Sequence, residues 1–174
     1  MEAATAPESA QGFTGPEFRA ALGAFATGVT VITTRGEDHL FGMTANAFSS
    51  VSLEPPLVLV CVISGTEGAK VIEQNNIFAI NMLGAAQEAI SRYFSSKERP
   101  RGLDAFREVP HAVAVTGAPI LEGISGFLDC RLHAAHAAGD HEIFIGEVVA
   151  LGSYPDVRPL LFHGGKYRFL EGDE

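Results

Sequence analysis

The chain has 174 residues, 47% hydrophobic and 19% charged, which suits one domain with a full apolar core and excludes a disordered chain. Its formal net charge of -9 repels a phosphate backbone and argues against nucleic-acid binding, although a few backbone amides and one Lys or Arg suffice to hold a nucleotide phosphate. Nineteen glycines and nine prolines favour a turn-rich β architecture over a helical bundle.

Residues 1–12 read as a flexible tail ahead of a single domain spanning residues 13–174. The tail is small, polar and acidic with no basic n-region, so no signal peptide is expected. Thr14, Pro16 and Glu17 have the spacing of a capping box at a helix start. Phe18, Leu22 and Phe25 follow at helical spacing, and Gly28 is placed to end the helix, which is expected to pack on the rest of the domain. Val29–Thr34 and Leu40–Met43 read as a hairpin around a Gly-Glu-Asp turn.

Leu57–Ile63 is a continuous apolar run bounded by a Pro pair and Ser-Gly, the pattern of a buried central strand. A short helix over Glu67–Gln74, a strand over Ile77–Leu83 and a helix over Ala85–Phe94 come next. Ser95–Arg107 is polar and carries four basic residues, the composition of a binding loop or lid. Phe127–Ala137 and Glu142–Leu151 form a second predicted hairpin, and Leu160–Leu170, broken at Gly164-Gly165, a third. Many strands with two or three short helices predict a closed or split antiparallel barrel, since strands and helices do not alternate as in a doubly wound sheet.

The two cysteines, Cys61 and Cys130, form no CxxC pair and read as free thiols in a reducing compartment. No apolar run reaches the roughly 20 residues of a membrane span, so a cytoplasmic protein with no membrane contact is expected. His133, His136 and His141 are close in sequence, but on a strand His133 and His136 point to opposite faces, and no metal site is expected. A GxSxG elbow, a P-loop and a GxGxxG fingerprint are all missing.

The segment from Gly42 to Pro56 is rich in hydroxyls and small residues. Thr44, Asn46 and Ser50 could hydrogen-bond a polar ring edge, a ribityl chain or a phosphate, and Ala45 and Ala47 would let a flat ring approach. A solvated Ser/Thr loop between two strands explains the same composition.

The run TANAFSSVSLEPPLVLVCV from Thr44 to Val62 resembles the flavin-binding signature of the flavin reductase family with the FMN-binding split barrel. Phe18–Thr33, Phe78–Leu83, Gly139-Asp140-His141 and Phe162–Tyr167 resemble further family segments, in family order, over nearly the whole chain. The resemblance implies a mainly β, Greek-key split barrel and a homodimer. It also implies transfer of hydride from NADH or NADPH to FAD or FMN, with reduced flavin passing to a separate flavin-dependent monooxygenase. The cofactors supply that chemistry, so no catalytic side chain is required.

Carried over by resemblance, Thr44, Ala45, Asn46, Ala47, Phe48, Ser50 and Val51 would line the ring and ribityl chain. Cys61, Val62 and Ile63 would pass beside the flavin, with Cys61 as lining and not as nucleophile. Ser64, Gly65, Thr66 and Lys70 would meet the phosphate end, and Phe94 and Ser95 would close over the ligand. The nicotinamide would be met by His141 and by His163, Gly164, Gly165, Lys166 and Tyr167. A non-catalytic flavin-binding electron carrier on the same barrel would keep the Thr44–Val51 segment without needing His141 or Lys166. An oxidase similar to pyridoxamine phosphate oxidases would carry a more basic phosphate-binding set.

Overall fold

The Thr14 hydroxyl accepts from the Glu17 amide while the Glu17 carboxylate accepts from the Thr14 amide at 2.7 Å, closing the predicted capping box at the start of α1 (Gly15–Gly23). The structure is a computed structural model that describes residues 12–37 and 39–170; the predicted tail lies outside them up to residue 11. Helix α1 stops at Gly23, not at Gly28. The Ala24 amide bonds back to Ala21 and Leu22, and Thr27–Gly28 instead form a short strand, β1, against Leu161 and Phe162. The expected packing of α1 within its own chain is also corrected. The helix buries no residue, and Phe18, Leu22 and Phe25 are 51%, 58% and 76% exposed.

Strands β2 (Thr30–Arg35) and β3 (Leu40–Ala45) form the first hairpin, and β4 (Phe48–Leu53) and β5 (Pro56–Ile63) the second. Helix α2 (Glu67–Asn75) leads to β6 (Ile77–Met82), and helix α3 (Glu88–Ser95) follows a short 3-10 turn. After a second 3-10 turn, Gly102–Phe106, come β7 (His111–Val113) and β8 (Pro119–Leu121). The long strands β9 (Gly126–Ala138) and β10 (His141–Ser153) flank a two-residue turn in which Gly139 has φ 67°. The chain then forms β11 (Leu161–His163) and β12 (Lys166–Arg168) around Gly164-Gly165.

The main sheet is antiparallel with strand order β3-β2-β6-β9-β10-β5-β4. Its edge strands, β3 and β4, are consecutive in the chain and joined by Asn46 and Ala47 alone. The sheet therefore curls until its edges meet: β3 touches β5, and the Cys61 amide donates to the Ala47 carbonyl at 3.0 Å. Chain return from β5 to β6 skips over β10 and β9, as in a Greek key. This is the predicted split barrel, open where the edges part.

The interior is packed by Ile32, Val58, Val60, Val62, Phe78, Ile80 and Phe144, with Ala69 and Ile72 of α2 as a plug. A second core outside the sheet joins Val29, Val31, Leu83, Phe94 and Phe106 to β8. Asn81 ties the two layers. Its amide donates to Val31 and Pro119 carbonyls at 3.1 and 3.3 Å, and its carbonyl accepts from the Leu121 amide at 2.8 Å. A fully buried amide is tolerated because these bonds satisfy it.

Strand β5 is not the doubly buried central strand that its apolar run predicts. It lies one place from the sheet edge and alternates: Val58, Val60 and Val62 are buried at 6% or less, while Leu59 and Cys61 are half-buried and Ile63 is 56% exposed. Each buried valine contributes about 1.5–3 kcal/mol. The outer side chains are apolar for another reason, since Cys61 and Ile63 face a cavity.

Candidate functional site

A cavity of about 610 Å³ opens between β3, the end of β5, the start of α2 and the segment from Phe94 to Gly102. Its strand side is small and apolar, formed by Ala45, Ala47, Cys61 and Ile63. Its loop side is cationic, formed by Lys97, Arg99 and Arg101. Three cations in one wall stand out in a chain with 12 basic and 21 acidic residues. An apolar slot with a cationic end suits a flat ring that carries an anionic tail.

The Gly42–Val51 segment is not a loop but the end of β3, a two-residue link and most of β4. Only its first part borders the cavity, because the chain turns at Asn46 and Ala47 and β4 runs on away from it. Thr44, Ala45, Asn46 and Ala47 line it, whereas Phe48, Ser50 and Val51 run on along β4 outside it. The Thr44 hydroxyl donates to the Ser91 carbonyl at 2.6 Å, which leaves its oxygen only an acceptor role toward a ligand. Asn46 donates weakly to the Thr27 hydroxyl at 3.3 Å and keeps its amide oxygen.

Cys61, Val62, Ile63 and Thr66 line the cavity, as do Phe94 and Ser95. Ser64, Gly65 and Lys70 are exposed and do not. Thr66 caps α2, accepting from the Ala69 amide, and its hydroxyl also donates to the Ile63 carbonyl at 2.7 Å. His141 joins the site from the first position of β10, directly opposite Ile63. Its Nδ1 pairs with the Asp140 carboxylate at 2.7 Å, which holds that carboxyl below the usual range.

The β11–β12 hairpin lies apart from this cavity. His163, Gly164, Gly165 and Lys166 are exposed, and the Gly164 amide donates to the Gly23 carbonyl at the end of α1. Tyr167 alone reaches toward the site. Its hydroxyl bonds Ser91 at 2.8 Å, under the Arg92 guanidinium, and Ser91 is the residue whose carbonyl holds Thr44.

No local sequence signal singles out Arg99 and Arg101 within the basic loop, or Glu67 at the start of α2. Arg99 donates to the carbonyls of Gly42 and Ser96, with its guanidinium 5.8 Å from the ring centroids of both Phe41 and Phe94. Burial, its main cause, pulls the Arg99 pKa below the ordinary value, and carbonyls compensate the desolvated charge. Hydrogen bonds to such charged groups contribute about 1.5–3 kcal/mol each. Arg101 pairs instead with Glu67, the first residue of α2, at a solvent-exposed position where ion pairs contribute about 0–1 kcal/mol. The loop is thus fastened firmly to β3 and loosely to α2.

The cysteines differ in kind. Cys130 is fully buried in the barrel, and burial together with the neighbouring Asp129 charge pushes its thiol up to about 12. Cys61 is half-buried and faces the cavity.

Comparison with known proteins matches this geometry to one family. The model of a family described as "Flavin reductase like domain" matches residues 22–171. An NADH-dependent FAD reductase of Streptomyces globisporus is 40% identical over 158 residues, covering 90% of this chain and 86% of that protein. A flavin-dependent monooxygenase reductase subunit, HsaB, of Mycobacterium tuberculosis is 38% identical over 159 residues, covering 90% and 83%. The solved structure of the Streptomyces globisporus C-1027 NADH:FAD oxidoreductase SgcE6 in complex with NAD and FAD fragments superposes with a TM-score of 0.85. It shares 38% identity, over 91% of this chain and 93% of that one. With the split barrel, the cavity at its open edge and this similarity over most of its length, the chain belongs to the flavin reductase like domain family.

Proposed function

We propose that this chain is an NAD(P)H-dependent flavin reductase that uses NADH or NADPH to reduce FAD or FMN and passes reduced flavin to a separate flavin-dependent monooxygenase. The observation that carries this reading is the pairing, within one cavity, of an apolar strand wall at Ala45, Ala47 and Cys61 with the cationic loop at Arg99 and Arg101. The relatives named as an NADH-dependent FAD reductase and as a monooxygenase reductase subunit support the same reading.

Flavin and reduced nicotinamide would supply the hydride chemistry themselves when bound, so no acid–base residue of the protein is required. The chain's own work is therefore to bind and orient. Ala45 and Ala47 leave room for a flat ring, Thr44 and Asn46 offer acceptors at its edge, and the cationic loop receives the anionic tail. His141, at the start of β10, is assigned to the nicotinamide side. The His163–Tyr167 hairpin is assigned to the same donor, acting from outside the cavity described above.

The active unit is a homodimer. Support comes from Phe18 and Leu22 of α1 and Phe25 just after it, which stay more than half exposed in their own chain, and from Leu53 on the edge strand β4, which is 95% exposed. The domain spans residues 13–174, and a reducing cytoplasm suits its two free cysteines. No helix among the described residues is long and apolar enough to cross a membrane.

The test is steady-state kinetics with each flavin and each nicotinamide, following loss of NADH or NADPH. Oxidation that depends on added flavin is expected. A protein that binds flavin yet oxidises neither nicotinamide is an electron carrier, and the reductase reading fails.

A further inference from the structure

Glu67, Arg101 and His39 form a cluster at the cationic end of the cavity that the hydride reaction does not use. Arg101 is 69% exposed in its side chain and pairs with Glu67 Oε2. The other carboxylate oxygen, Oε1, lies 3.7 Å from His39 Nε2, too far for a hydrogen bond. That ring nitrogen is buried and has no hydrogen-bond partner among the described residues. A buried ring nitrogen left unbonded is costly, so a state in which it finds a partner is to be expected.

We infer that Glu67 is a movable counter-ion, displaced from Arg101 by the phosphate of a flavin nucleotide and then received by His39. The inference rests on the flavin reading of the cavity and adds a device that reads the phosphate.

The two arginines of the loop divide the work. Arg99 is committed to the Gly42 and Ser96 carbonyls and to two aromatic rings, so it holds the loop in place. Arg101 has an exchangeable partner at an exposed position, where an ion pair is weak. Glu67 occupies the first turn of α2, where the helix favours negative charge, so the vacated position still suits an anion. A phosphate offers Arg101 two oxygens in its fork geometry and carries more charge than the carboxylate. Were Glu67 to stay, its charge would repel the phosphate. Closing the 3.7 Å gap by somewhat under about 1 Å brings it within hydrogen-bond distance of His39 Nε2, with the ring proton on that nitrogen. Riboflavin, which has the ring but no phosphate, cannot drive this exchange.

The experiment titrates the full chain with FMN and with riboflavin at low salt, following flavin fluorescence. It compares the wild type with Arg101→Gln, Glu67→Gln, His39→Phe and the Glu67→Gln/His39→Phe pair. Arg101→Gln is expected to weaken FMN about tenfold, the loss of one charge-assisted phosphate contact. Glu67→Gln should tighten FMN about threefold by removing the competing charge, and His39→Phe should weaken it by a similar factor. In the pair, His39→Phe should have no further effect, because no carboxylate remains to be received. Riboflavin affinity should stay within about twofold throughout, which also shows that each variant is folded.

An unchanged ratio of FMN to riboflavin affinity across the variants overturns the inference while leaving the flavin site intact. So does full additivity in the pair. Failure of both flavins to bind the wild type removes the flavin reading itself, and this inference with it.

Discussion

The guanidinium of Arg99 donates to the main-chain carbonyl of Gly42, 57 residues earlier in the chain, and so pins the cationic loop to the strand that carries Thr44 and Ala45. Arg99→Ala removes the bond and the ring contacts together. The flavin KM is expected to rise about tenfold, with little change in turnover at saturating flavin. Arg99→Lys should recover little, since an ammonium cannot bridge two carbonyls from one plane. Equal flavin KM values for wild type and Arg99→Ala would show that the loop needs no pin.

Gly42 itself admits no side chain. A Cβ there would lie 2.5 Å from the Phe94 ring and 3.0 Å from Phe106, both buried. Gly42→Ala is expected to cost about 1–3 kcal/mol through overpacking. Denaturant unfolding measures the loss directly. The displaced Phe94 should also weaken flavin binding, because that ring lines the cavity.

His141→Ala is expected to raise the NADH KM about fivefold while flavin affinity changes less than about twofold, since His141 lines the cavity from β10 and its side chain is partly open to solvent, whereas the flat-ring wall is Ala45, Ala47 and Cys61. Steady-state kinetics together with a flavin titration separates the two effects. An unchanged NADH KM refutes the assignment.

The two thiols should react differently. Cys130 is raised in the folded state from near 9 to about 12, so folding favours its neutral form. Stability from this group is complete below the unfolded value and is lost as pH rises from about 9 toward 12. Unfolding midpoints should fall across that window, and less steeply in Cys130→Ala. A thiol reagent at neutral pH should modify Cys61 but not Cys130, and saturating flavin should slow the reaction at Cys61. Equal labelling with and without flavin would place the ligand elsewhere.

Light scattering at micromolar concentration is expected to give about twice the monomer mass of 18.4 kDa. A monomer would mean that Phe18, Leu22 and Phe25 stay in water, and the homodimer reading would fail.

Local signals were legible where a few neighbouring residues settle the matter. The Thr14–Glu17 capping box, the Gly139-Asp140 turn and the Gly164-Gly165 hairpin form as their residue types predict. Boundaries set by distant partners were less so. Thr27 and Gly28 become a strand because Leu161 and Phe162 lie beside them, which no local pattern announces. The apolar run of β5 is plain in the sequence, but its neighbours in the sheet and the division of its side chains between the core and the cavity are not.

Within the site, the Thr44–Ala47 and Cys61–Ile63 segments were readable because they recur in family order along the chain. Arg99, Arg101 and Glu67 were not, because a basic loop and a helix start 34 residues away look unrelated until folding sets them together.

The strand-rich composition, the local turns and caps, and the family of those segments are all written in the linear chain. All of these follow from residue types over short spans. Which side chains share a cavity is settled by folding. Curling of the sheet brings β3 against β5, and the Arg99 bond to Gly42 carries the cationic loop across to their apolar wall. Contacts of that kind depend on strand order and curvature, properties of the whole sheet that no single segment encodes.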